Sequence, residues 1–148
     1  MKTVGDNTNK LRDLLIDIQQ RADSETFLGT GIIVYSDLDA LSFVSISNCA
    51  TKPAPNELVG QVLEASSMTR ASHDGFHFID SEWHLTHLNQ YVAPEIPKNY
   101  QLPPDVRSFA GARFTTAILS SLSTSVICSG ILSSTYGIMT FADGRRVH

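Results

Sequence analysis

Gly31-Ile32-Ile33-Val34-Tyr35, entered through Gly29, is the stretch whose reading decides the fold. It stays apolar and β-branched where a half-exposed strand would alternate, which predicts a strand buried on both faces. Ser36-Asp37-Leu38-Asp39 reads as a turn and Leu41-Ser42-Phe43-Val44-Ser45-Ile46 as a second strand, so these two are expected to form a hairpin. Farther along, Gly75-Phe76-His77-Phe78-Ile79 and His84-Leu85-Thr86-His87-Leu88 both alternate. Asp80-Ser81-Glu82 between them is turn material, and a second hairpin is expected. Val126-Ile127-Cys128 is a buried strand and Gly137-Ile138-Met139-Thr140-Phe141 another, with a tight Asp143-Gly144 turn before Arg145 and Arg146.

Helical spacing appears between these strands. Leu11, Leu14, Leu15 and Ile18 form one apolar stripe, with caps offered by Asn7 to Asn9. Asn56 is read as the cap of a second helix that turns Leu58, Val59, Val62 and Leu63 inward. Pro94, Pro97, Pro103 and Pro104 enforce an irregular connection. Asp105 or Ser108 then opens a third helix through Phe109, Arg113, Phe114, Ala117 and Ile118. Strands and helices intermix throughout, which predicts an α/β fold: a mixed central β-sheet flanked by helices, in a single domain over 1–148.

Bulk properties narrow the function classes. A 148-residue chain is long enough for one well-buried core, and 42% hydrophobic with 18% charged residues describes a soluble globular protein. A net charge of -4 offers no basic surface for a nucleic-acid polymer. No apolar run is long enough to span a bilayer, so no membrane partner is expected. Met1-Lys2-Thr3-Val4-Gly5-Asp6 carries no signal-peptide core, and Cys49 and Cys128 read as buried thiols. Both point to a cytoplasmic home.

Two segments carry chemistry. Asp74-Gly75, at a strand entrance, is either a simple turn or a carboxylate aimed into a cleft, as a divalent metal with nucleotide phosphates would require. In Gly111-Ala112-Arg113-Phe114-Thr115-Thr116-Ala117 the first turn of a helix combines free N–H groups with Arg113, Thr115 and Thr116, all phosphate donors. The competing reading makes Gly111 a packing contact and Arg113 a solvated side chain. His73 with His77, or His84 with His87, would chelate zinc on a helix, but their surroundings read as strands, so hydrogen-bonded histidines are the expectation. Ser120 to Ser125 and Ser133 to Thr135 lack the partners of a nucleophilic triad and read as helix ends and turns.

Together the elements resemble the diadenylate cyclase (DAC) catalytic domain. Gly29-Thr30-Gly31-Ile32-Ile33-Val34 stands where that family has its Gly-Ala-aliphatic strand. His73-Asp74-Gly75-Phe76 stands at its His-Asp-Gly-Ala segment, and Gly111 to Ala117 at its Gly-Thr-Arg-His-Arg-Ala-Ala helix. The terminal strand pair follows in Ile127 to Gly130 and Thr135 to Ile138. The resemblance implies a nucleotide or cyclic dinucleotide ligand in a pocket made by Asp74, Gly75, Phe76, Gly111, Arg113, Phe114, Thr115 and Thr116. It implies Mg²⁺ or Mn²⁺ on Asp74 when the nucleotide comes with metal, and otherwise no cofactor. If cyclic di-AMP is made, Asp74 is catalytic and a homodimer brings two ATP molecules face to face.

The departures shape the functional expectation. Phe76 replaces the small residue after Asp-Gly, Ala112, Phe114 and Thr115 replace the threonine, histidine and second arginine, and Gly130, Ile131 and Leu132 lie where the family has an acidic pair. One lost charge donor at a phosphoryl-transfer site costs ~10²-fold in rate. The expectation is therefore a divergent DAC-like domain that binds a nucleotide or nucleotide-derived signal without efficient cyclase activity. An active cyclase and a ligand-free assembly domain are the alternatives. Phe76 and Phe114 either stack on a base or fill the pocket. In every ligand-binding case Asp74 and Arg113 must share one rim of one cleft.

Overall fold

A computed structural model describes residues 3–46, 57–68, 73–109 and 111–148. Three helices, α1 (Val4–Arg21), α2 (Leu58–Ala65) and α3 (Ala112–Ser120), cover a seven-stranded sheet. Its strands are β1 (Gly29–Tyr35), β2 (Phe43–Ser45), β3 (Phe76–Ile79), β4 (Leu85–Val92), β5 (Val126–Ser133), β6 (Gly137–Ala142) and β7 (Arg145–Arg146), in spatial order β2-β4-β3-β1-β5-β6-β7. The sheet is mixed: β1 runs parallel to β3 and every other pairing is antiparallel.

β1 is buried along its whole length, as its unbroken apolar run requires. Alternation along the strands divides two cores. Ile32, Val34, Ile79, Cys128 and Leu132 meet the Leu11, Leu15 and Ile18 stripe of α1 and Val62 of α2. Ile33, Phe76, Phe78, Ile131, Met139 and Phe141 meet Phe114, Ala117 and Ile118 of α3 on the other face. Burial pushes the Cys128 thiol up to about 12, so it behaves as a small apolar side chain. Cys49 lies outside the described residues.

The expected pairing of β1 with β2 is not formed. β2 instead joins β4 at the sheet edge, with Phe43 opposite Val92 and Ser45 opposite Gln90. The reason lies in burial. A fully covered strand needs apolar neighbours along both sides, and β1 takes β3 and β5. β2 is short, with Val44 and Ser45 exposed, and suits an edge. The β3–β4 hairpin forms as expected. So does the two-residue turn between β6 and β7, where Asp143 (φ 51) and Gly144 (φ 72) both take left-handed backbone. Ser133 ends β5 and its Oγ accepts the N–H groups of Thr135 and Tyr136, which shapes the next turn.

Helix starts differ from expectation for local reasons. α1 begins earlier, because Thr3 and Asp6 form a reciprocal capping box. Asn7 is therefore inside the helix, and its Oδ1 accepts the Trp83 indole N–H at 3.2 Å. The N-cap of α2 is Glu57, without a side-chain bond, and Asn56 lies outside the described residues. Pro104–Phe109 forms a separate 3₁₀ turn, so neither Asp105 nor Ser108 opens α3, which starts after Gly111.

Candidate functional site

Asp74 and Gly75 lead into β3, where backbone crowding explains the glycine. A Cβ on Gly75 would lie 2.6 Å from both Cα and the carbonyl carbon of Asn89. Asn89 itself has left-handed backbone (φ 55) in β4, and the β3–β4 register shifts alongside it. The Asp-Gly pair is thus a close approach of two strands as well as a turn. It leaves the Asp74 side chain 76% exposed at the lip of a cavity of about 440 Å³.

Beside Asp74 stands the first turn of α3. Ala112, Arg113 and Thr116 line the cavity. Gly111 is the N-cap, exposed, and a Cβ there would meet nothing within 4 Å, so no packing contact demands it. Thr115 donates its backbone N–H to the Gly111 carbonyl and is half-buried without lining the cavity. Phe114 turns into the core, edge-on to Phe141 at 5.2 Å.

Arg113 and Asp74, 39 positions apart in the chain, meet at 3.5 Å. The guanidinium is mostly covered, and a Cβ on Gly29 would collide with its Nη1. Arg113 Nε is buried and has no hydrogen-bond partner among the described residues. Burial pushes the Arg113 pKa down while Asp74 pulls it back up. The result is a partly desolvated cation that has one donor unpaired among the described residues and Nη2 turned to Asp74, in a setting where an anion would gain more than in water. His73 Nε2 also lies 3.3 Å from the same Asp74 oxygen.

β3 and β4 form the floor. The Phe76 ring lies directly over Gly31, its partner in the parallel register, where a Cβ would lie 2.5 Å from the ring. Phe76 is nearly buried yet lines the cavity, so its bulk occupies room vacated at Gly31. Gln90 is buried beside it, and its amide donates to the Leu88 carbonyl at 2.7 Å. Ile46 and Tyr91, both exposed, supply an apolar flank. Gln90 was not expected at the site from the sequence: it comes within reach only through the bulge at Asn89, which no local motif announces.

His77, one residue after Phe76, lies on the other face of the sheet and is fully buried. Its Nδ1 accepts the Asn89 backbone N–H at 3.2 Å, so the neutral ring carries its proton on Nε2. Nε2 donates to Ser66 Oγ at 2.9 Å, and Ser66 bonds Thr30 Oγ1 at 2.9 Å. Burial, with the Arg113 charge adding to it, pushes His77 down to about 3. Both ring nitrogens are thus committed to the fold. His84 is exposed beside Asp80 and Glu82, and His87 packs between the rings of Phe43 and Phe78.

Among the described residues, no group of three or more His, Cys, Asp or Glu side chains is placed to hold a metal. One carboxylate fits only a cation that takes its other ligands from phosphate and water, the habit of Mg²⁺ or Mn²⁺ with a nucleotide. No described helix is long and apolar enough to cross a membrane.

No protein-family model matches this sequence, and no curated protein does. Among solved structures, a double mutant of DacA from Staphylococcus aureus, a diadenylate cyclase, is similar at a TM-score of 0.55. The match covers 90% of this chain and 79% of that one at 16% identity. The two share a DAC-like fold.

Proposed function

We propose that this DAC-like domain binds a nucleotide or a nucleotide-derived signal in the Asp74–Arg113 cleft, and that it lacks efficient cyclase activity. One observation carries the reading. Two groups distant in sequence converge at 3.5 Å on the lip of a cavity of about 440 Å³, and the cation of the pair is mostly covered. Arg113 would meet phosphate with Thr116 and the first-turn N–H groups of α3. Asp74 would take a ribose hydroxyl or a phosphate-bound cation. The cavity suits a mononucleotide or one half of a cyclic dinucleotide.

Low activity follows from the donor count. The phosphate wall offers one guanidinium, with Thr115 at the position of the family's second arginine and Phe114 folded into the core. Transition-state charge in phosphoryl transfer needs more donors than this. A melting-temperature panel of nucleotides and cyclic dinucleotides tests the binding, since a ligand that binds only the folded state must raise the midpoint. Arg113→Gln should abolish the shift. An unchanged midpoint across the panel would leave a ligand-free assembly domain.

The exposed Asp74 carboxylate favours one competing reading, a working cyclase that holds Mg²⁺ or Mn²⁺ there and pairs with a second copy. Incubation with ATP and Mn²⁺ followed by chromatography decides it. Cyclic dinucleotide that accumulates with the natural chain and disappears in Asp74→Asn would establish the enzyme.

A further inference from the structure

The carboxylate and guanidinium of the cleft contact one another before any guest arrives. Asp74 Oδ1 accepts from Arg113 Nη2 at 3.5 Å, and His73 Nε2 lies 3.3 Å from the same oxygen. The Asp74 side chain is 76% exposed, so its carboxylate is open to solvent. Arg113 has the opposite character: mostly covered, Nε without a partner among the described residues, its charge opposed by burial and sustained by Asp74. A phosphate approaching Arg113 therefore meets the negative charge that already serves it. Like charges a few ångströms apart repel by an amount that matters even in a partly wet cleft.

We propose that the Asp74–Arg113 ion pair is a latch that makes the cleft bind cation and phosphate cooperatively. With Asp74 charged and no cation bound to it, the guanidinium is masked and phosphate binds weakly. A divalent cation on the exposed carboxylate takes up its charge, leaves Arg113 under-neutralised, and so strengthens phosphate binding. By reciprocity, phosphate strengthens the cation by the same factor. The exposure of Asp74 lets it be claimed from solvent, while the covered Arg113 stays in place. The latch rests on the reading of this cleft as a phosphate site.

The test uses the full chain with inorganic phosphate as the probe. The Arg113 Nε–H resonance in ¹⁵N NMR is the reporter, assigned by its loss in Arg113→Gln. Phosphate is titrated with and without Mg²⁺, in the natural chain and in Asp74→Asn. Without metal, Asp74→Asn should bind phosphate about fivefold tighter or more, the size expected for removing one nearby like charge. Mg²⁺ should tighten phosphate in the natural chain and leave Asp74→Asn unmoved. Equal or weaker phosphate binding by Asp74→Asn, or equal tightening of both proteins by Mg²⁺, would overturn the latch and leave the phosphate site standing. If the Arg113 signal ignores phosphate in both proteins, the latch and the site fall together.

Discussion

β3 carries polar chemistry to both faces of the sheet under opposite conditions. On the α1–α2 face, His77 is sealed away, and each ring nitrogen has a partner drawn from Asn89 or Ser66, with Thr30 extending the chain. On the α3 face, just past Phe76, a partly desolvated Arg113 has a buried Nε without a partner among the described residues and a long contact to an exposed carboxylate. The difference separates structure from recognition. A network that closes on itself has nothing left for a guest, whereas an unfinished one keeps donors in reserve. Of the two polar groups, His77 is the structural one.

The contrast can be broken most severely at the floor between the two faces. Phe76→Ala should cost about 4 kcal/mol in urea denaturation, through lost burial and the cavity it leaves. Gly31→Ala should also destabilise, because its Cβ would enter the Phe76 ring. The double variant should be milder than the sum, since removing the ring removes the collision. Strict additivity would mean that ring and glycine are not seated on each other.

His77→Leu comes next, at about 3 kcal/mol, because an apolar side chain strands the Asn89 N–H and the Ser66 hydroxyl in a dry interior. A loss below about 1 kcal/mol would show that the closed network contributes little. Acid titration probes the same group more gently. His77 stays neutral in the fold until the pH falls to about 3 but protonates near 6.5 when unfolded, so the unfolded chain binds the extra proton between those values. Stability from this group is complete above pH 6.5 and declines as pH falls toward 3. Between pH 6.5 and 5 the loss should approach about 2 kcal/mol. His77→Gln should flatten that slope. An unaltered slope in a folded His77→Gln variant would assign the pH dependence to other groups.

The smallest effect on stability belongs to the open side. Asp74→Asn should shift the unfolding free energy by less than about 0.5 kcal/mol, because the side chain is exposed and its ion pair is long. A large loss there would erase the distinction between the two faces.

What the sequence discloses follows the range over which each feature is determined. The stripe of α1, the apolar run of β1, the β3–β4 hairpin and the Asp143-Gly144 turn are set by neighbours in the chain, and all are legible. The partner of β2 depends on which strands β1 recruits, so adjacency misleads. The convergence of Asp74 and Arg113 was legible only through family resemblance, since nothing local links positions so far apart. The inward turn of Phe114 and the arrival of Gln90 at the cleft are decided by Phe141 and by the bulge at Asn89. The wiring of His77 needs α2 and β4 in place, and its sequence signal is no more than a histidine between two phenylalanines.

The central position of β1 also governs when the molecule can exist. Gly29 pairs with Ser133, and the intervening strands belong to the opposite half of the sheet. A nascent chain must therefore emerge through β5 before the edge of its most apolar strand is satisfied. Such late, long-range closure makes for slow folding and a prolonged window of stickiness. Synthesis of this protein should consequently lean on holdase chaperones, and premature termination before Val126 should yield aggregates instead of a smaller soluble product.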